Sequence, residues 1–185
     1  MINWANLTTT NPKQYVCGYC GRSVASNQAF FSNSSPQKFI YSCPNCNQPT
    51  YFDGQNQVPG VAPGNEVEHL PKEVAALYRE ARNAVSVSAH TAAVLACRKL
   101  LMHIAVEQGA KAGDSFLSYV DYLANKGFVP PNGRGWVDHI RNKGNEANHE
   151  IKLMGDKDAA ELIAFLEMLL KFIYEFPNKV PAAKP

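Results

Sequence analysis

Two patterns of apolar residues divide the chain. Up to about Asp53 the apolar residues come in short clusters separated by polar turns. Beyond Leu70 they recur at three- and four-residue spacing. The early clusters are strand-like: Ala29-Phe30-Phe31 and Lys38-Phe39-Ile40-Tyr41-Ser42, with Ser32-Asn33-Ser34-Ser35-Pro36 as the turn between them. The later spacing predicts helices. Val74, Leu77, Ala81 and Ala84-Val85 form the stripe of a first helix, with Pro71 at its opening position. A second runs over 92–106, capped by Ser86 or Ser88, and is apolar on most sides. A third runs from about Ser115 to Asn125, with Asp114 as its cap and Gly127 as its stop. After the loop 128–133, a fourth covers about 135–149. A fifth runs from Lys157 to Phe176, capped by Asp156 and closed by Pro177. Its wide stripe (Leu162, Phe165, Leu166, Leu169, Phe172, Ile173, Phe176) is either wholly buried or shared between the bundle and a second subunit.

Between the two patterns, Asp53 to Glu68 reads DGQNQVPGVAPGNEVE. Glycine, proline and polar residues break every period, which predicts a linker. The expected organisation is a small β module over 1–52, a linker over 53–69, an all-α bundle over 70–177 and a flexible tail over 178–185.

Composition adds limits. An apolar fraction of 45% is enough for a packed core, and a net charge of +2 gives no general pull toward nucleic acid. No run of about 18 apolar residues predicts a membrane span. The start, MINWANLTTTNPKQYV, lacks a basic stretch followed by an apolar one, so no secretory signal is expected and the cytoplasm is the expected compartment. Thiols stay reduced there.

That compartment bears on the cysteines. Four of the five form two pairs, Cys17-Gly-Tyr-Cys20 and Cys43-Pro-Asn-Cys46, on either side of the strand-like clusters. Two intervening residues let both sulfurs of a tight turn face one ion. Gly18, Gly21 and Pro44 suit such turns. Two turns supply four thiolates, which matches tetrahedral zinc in a two-knuckle ribbon. The alternative is a pair of redox dithiols. Four protein ligands leave no open position, so one structural zinc per chain is expected, and a module of ~50 residues needs that energy to fold. The module carries Trp4, Tyr15, Tyr19, Phe30, Phe31, Tyr41, Tyr51 and Phe52, some of them necessarily its core. Its basic residues are Lys13, Arg22 and Lys38. Protein recognition suits this surface better than DNA reading, which needs cations for phosphates.

The fourth helix carries a second constellation. In Trp136-Val-Asp-His-Ile-Arg141-Asn142-Lys-Gly-Asn145-Glu-Ala-Asn148-His149-Glu150, Arg141, Asn145 and His149 lie four apart, on one helical face, with Asn142 and Asn148 beside it. Asparagine and glycine are poor helix formers, and a sequence that accepts them often gains a site. A guanidinium can hold a phosphate, and a neutral imidazole can take a ribose 2′-hydroxyl proton, so the pair can cleave RNA without a metal. The structural alternative has Arg141 and Asn145 bonding to Glu80 or loop backbone, with His149 a satisfied core residue. Glu80 and Arg98 either pair across the core or support Arg141 and His149 as neighbours. Cys97 reads as core, His90, His103 and His139 as ordinary helix residues, and His69 as solvated.

The stretches LPKEVAALYREARNAV, AAVLACRKLL and WVDHIRNKGNEANHE, with the acidic start of the last helix, resemble a bacterial domain of the HEPN superfamily over about Leu70 to Phe176. The resemblance implies a metal-independent endoribonuclease acting as a homodimer, with Arg141 and His149 as the catalytic pair, Asn142 as the polar residue after the arginine, and Asn145 completing the site. Seven residues separate Arg141 from His149, more than such proteins usually have, and some relatives are non-catalytic binding modules. With the ribbon in front, the chain looks like zinc-finger HEPN ribonucleases of antiphage defence. That implies a phage protein as trigger and RNA as substrate. A DNA-binding zinc protein with an accessory bundle is the least favoured alternative.

Overall fold

The computed structural model describes residues 4–130, 135–140 and 153–180. The chain divides into two compact units, Met1–Ala62 and Pro63–Pro185.

The first unit is a five-stranded antiparallel meander. It comprises β1 (Thr8–Val16), β2 (Ser23–Ser32), β3 (Ser35–Ser42), β4 (Pro49–Asp53) and β5 (Asn56–Val58), in spatial order β1-β2-β3-β4-β5. The sheet is larger than the predicted hairpin. β2 and β3 extend through the Ser/Asn-rich stretch, and only Asn33 and Ser34 remain as the turn. Pro12 falls where the β1–β2 register shifts, between Thr9 and Lys13, a bulge that tolerates a residue without an N–H. Side chains alternate across the pleat. Tyr15, Ala29, Tyr41 and Phe52 point to one face and pack with Cys17 and Cys43 into the unit's core. Tyr15 and Tyr41 each meet Phe52 edge to face, with ring centroids 5.3 and 5.8 Å apart.

The second unit contains α1 (Lys72–Ser86), α2 (His90–Glu107), α3 (Phe116–Asn125), the helical residues 135–140 (α4) and α5 (Asp156–Leu170). A π-helical turn, Lys171–Glu175, leads from α5 into the short α6 (Phe176–Lys179). α2 is central and packs on α1, α3 and α5. Its Val94, Cys97, Leu101 and Ile104 are buried, and burial pushes the Cys97 thiol up to about 12, as befits a core residue. Leu162, Phe165, Leu166 and Leu169 of α5 are buried, whereas Phe172 and Phe176 are exposed and meet edge to face with ring centroids 5.3 Å apart.

Several boundaries differ from the sequence reading for local reasons. Pro71 precedes α1 in extended geometry instead of opening it. Neither Ser86 nor Ser88 caps α2. Ser86 closes α1, Ser88 is left-handed at φ 62°, and Ala89 stands at the cap position. Ser115, not Asp114, caps α3, its hydroxyl accepting the Ser118 N–H at 3.1 Å. Gly155 occupies the cap position of α5 and donates its N–H to Asp158 at 3.0 Å. The chain also continues past Pro177. Proline has no N–H to return to the preceding turn, and that turn is widened to a π turn.

The predicted linker is largely structured. Gly54, at φ 61°, opens the two-residue connection that returns the chain into β5. Residues 63–68 are fastened along the helical unit. Arg82 donates to the carbonyls of Pro63 (2.8 Å) and Gly64 (3.0 Å) and pairs with Glu66 at 2.6 Å. Tyr78 donates to the Asn65 carbonyl at 3.1 Å. Glu167 accepts the backbone and side-chain N–H groups of Asn65, both at 2.9 Å, and Glu175 accepts the Glu68 N–H at 3.1 Å. Composition without a period hides these bonds because backbone groups make most of them. In the predicted tail, Asn178 and Lys179 belong to α6, Lys179 pairs with Glu175 (2.7 Å) and Glu68 (3.1 Å), and 181–185 lie outside the described residues.

Candidate metal centre

The four cysteines of the two C-x-x-C pairs converge. Their sulfurs all lie within 4.8 Å of one another. Cys17 Sγ is 3.7 Å from Cys46 Sγ, and Cys20 Sγ is 3.9 Å from Cys43 Sγ. A tetrahedral ion with metal–sulfur bonds of about 2.3 Å holds its sulfurs about 3.8 Å apart, so the donor set fits such an ion.

Two turns of the same geometry create this cluster. In the first, the Cys17 N–H donates to the Arg22 carbonyl (3.0 Å) and the Gly21 N–H to the Cys17 carbonyl (2.8 Å). In the second, the Cys43 N–H donates to the Gln48 carbonyl (3.0 Å) and the Asn47 N–H to the Cys43 carbonyl (2.8 Å). Each turn needs a left-handed residue after its second cysteine. Gly21 (φ 67°) and Asn47 (φ 59°) provide it. Glycine meets that demand freely, and asparagine is among the side chains that tolerate it. Asn47 is thus a functional position the sequence reading passed over. Arg22 Nη1 donates to Asn45 Oδ1 at 3.1 Å and ties the two turns together.

Gly18 serves a different purpose from the turn freedom expected of it. A Cβ there would run into the carbonyl oxygens of Gly60 and Pro59. The chain after β5 passes directly against the first turn. Gln57 fixes it there by donating to the carbonyls of Val16 (2.8 Å) and Pro59 (3.0 Å).

Backbone N–H groups also point at the sulfurs. The Arg22 N–H draws the Cys20 thiol down to about 6. Burial pushes Cys46 up to about 12 despite the Gln48 N–H, and raises Cys17. Cys17 and Cys43 are wholly buried, and Cys20 and Cys46 are half-buried. Burial also pushes the neighbouring Tyr15 hydroxyl up to about 12.

The other predicted positions belong to the helical unit's sequence. Arg141, Asn142, Asn145 and His149 lie outside the described residues. Glu80 is exposed on α1. Arg98 is buried on α2, with its guanidinium 4.4 Å above the Phe116 ring, and among the described residues no ion pair joins it to Glu80. It lines a cavity with Phe116, Ile140, Met154, Asp158 and Glu161. Glu161 of that lining also meets His139, read as an ordinary helix residue, at 2.6 Å. Periodicity cannot reveal this pair, because its members are far apart in sequence.

The architecture is therefore an antiparallel sheet unit with a four-cysteine cluster, followed by a helical unit. The chain belongs to the family described as a domain of unknown function (DUF4145), which matches residues 79–184, more than half of its length. No curated protein and no solved structure matches it. Among the described residues, no helix is long and apolar enough to cross a membrane.

Proposed function

We propose that this protein is a metal-independent endoribonuclease of antiphage defence, in which a zinc-ribbon unit docks a phage protein and a HEPN-type helical unit cleaves RNA as a homodimer in the cytoplasm. The closed four-sulfur cluster is the observation that carries this division of labour. Four protein ligands satisfy a zinc ion completely, so the ion folds the first unit and leaves the chemistry to the helices. Bound zinc would supply cross-linking of the two turns and charge compensation for the thiolates.

The helical unit offers Arg141 and His149 for that chemistry. His149 takes the proton from a ribose 2′-hydroxyl; the oxygen attacks the adjacent phosphorus, the bond to the 5′-oxygen of the next nucleotide breaks, and that oxygen leaves as a hydroxyl on taking a proton from water or from the protonated His149, with a 2′,3′-cyclic phosphate left on the other fragment. Arg141 balances the charge that develops on the phosphoryl oxygens. Asn142 and Asn145 hydrogen-bond the phosphate or ribose, and Glu80 and Arg98 are the candidates for supporting neighbours. The expected result of His149→Ala or Arg141→Ala is intact total RNA and restored growth in cells overproducing a protein that still binds zinc. RNA cleavage undiminished in both variants would remove the assignment.

A second reading rests on the seven residues between Arg141 and His149. The longer gap favours a non-catalytic adaptor that binds protein or nucleic acid for a separate effector. Intact RNA under every growth-arresting condition selects it.

A further inference from the structure

The sheet has a second face, and its register builds an apolar row there. Phe30 pairs with Ile40, Ile40 with Tyr51, and Tyr51 with Val58, so one side chain from each of four adjacent strands stands in line. The flanking positions Ala29, Tyr41 and Phe52 point the other way, into the core with the cysteines. Phe30 is 39% exposed and Val58 41%, and Ile40 and Tyr51 are half-buried. Trp4 extends the row by meeting the Tyr51 ring edge to face at 6.3 Å. The Tyr51 ring lies in the row while its hydroxyl accepts from Lys38 at 3.3 Å and donates to Asp53 at 3.4 Å.

We infer that this row is the docking surface of the amino-terminal unit and that its occupant is an amphipathic helix of a partner protein. Charge, size and geometry select that occupant. A single-stranded nucleic acid also uses aromatic platforms, but it needs cations beside them to follow its backbone. Of the unit's three basic residues, Lys38 stands beside the row and is paired with Asp53 at 2.9 Å. Lys13 lies 4.4 Å over Phe52, and Arg22 bonds Asn45 in the metal turns. The surface is neutral and suits an uncharged apolar stripe.

A globular surface or a second copy of this chain is too large a partner for the row alone. Three strand spacings span roughly 14 Å, whereas a standard interface buries roughly 800 Å² on each side. A partner strand would join an edge of the sheet, not cover its face. A partner sheet laid on the face would need a surface as wide as a globular one, which leaves a single helix on the sheet. At about 1.5 Å per residue, roughly three helical turns cover the row.

The inference rests on the reading of this unit as a docking module and is independent of whether Arg141 and His149 cut RNA. The test places the photo-cross-linker p-benzoylphenylalanine at Phe30 or Val58 in the full chain, with Glu73 on α1 as the reference position. Growing and phage-infected cells are irradiated. The expected result is one protein captured from both row positions and not from Glu73. The cross-linked residues in that protein are spaced three or four apart on an apolar helical stripe. Tyr51→Ser, and separately Ile40→Ser, in protein that retains its bound metal, lowers capture by at least roughly tenfold, the scale of a hot-spot loss. Cross-links to RNA, to a second copy, to a non-helical segment, or none above the Glu73 level overturn it. Failure of the catalytic reading appears separately, as RNA cleavage that ignores His149→Ala.

Discussion

Gly18 and Gly64 look alike in sequence, and both are held by close approach. Gly64 sits at φ 72°, where a Cβ would come within 2.9 Å of Ile163 Cγ2 and 3.0 Å of both Glu167 Oε2 and Tyr78 Oη. Gly18→Ala drives a methyl into the Pro59 and Gly60 carbonyls, which cannot swing aside as a flexible side chain can. It should destabilise the first unit by about 1–3 kcal/mol, read as a fall in its denaturation midpoint and weaker metal retention. Gly21→Ala instead incurs conformational strain without any clash, since nothing lies within 4 Å of its added Cβ. Glu167 gives a prediction in pH. Burial raises its carboxyl, but hydrogen bonds from Lys171 and Asn65 outweigh that and hold it below the ordinary value. A carboxyl depressed in the folded state stabilises the fold above its unfolded value, about 4.3, and loses that contribution as pH falls through the folded value. Glu167→Gln should flatten the acid limb of the stability curve below that pH, with Asn65 released from the helical unit first.

The elements show what the sequence discloses and what it conceals. Long amphipathic runs were readable: the apolar stripes of α1, α2 and α5 reappear as Val74, Leu101 and Phe165 in the core. The C-x-x-C pairs were equally readable, because their chemistry is local. Caps were misassigned wherever two eligible residues stood side by side, as with Asp114 and Ser115. Ser115→Ala should cost about 1 kcal/mol in thermal melts of the second unit, while Asp114→Ala should have little effect, since Asp114 contributes its backbone N–H to Tyr119 and no cap. β5 was missed because three residues are too few to show alternation, although Asp53-Gly54 is a hairpin signal. The bonds that fasten 63–68 to the helical unit were invisible, since their partners Glu167 and Glu175 are remote in sequence. The apolar row became legible only once the register of four strands was known.

At the scale of the whole molecule, the two units have different sources of stability. The helical unit buries a continuous core from Val67 to Tyr174. The sheet unit buries far less, chiefly Tyr15, Ala29, Tyr41 and Phe52 around the cysteines, and in the proposed account a bound ion makes up the difference. Chelation should therefore unfold the first unit and leave the helical far-ultraviolet signal in place, giving two separate transitions in calorimetry. Cys43→Ser should reproduce the chelated state. A single concerted loss of both units would contradict independent folding. The same division underlies the proposed function, in which the metal-bound unit docks a partner and the helical unit does chemistry. The most direct measurement follows labelled RNA with the purified, metal-loaded chain and added purified phage proteins in magnesium-free buffer, beside Arg141→Ala and His149→Ala proteins of equal zinc content and helicity. The account predicts cleavage by the unaltered chain and none by either variant; equal cleavage by all three, or cleavage that appears only when magnesium is added, would contradict it.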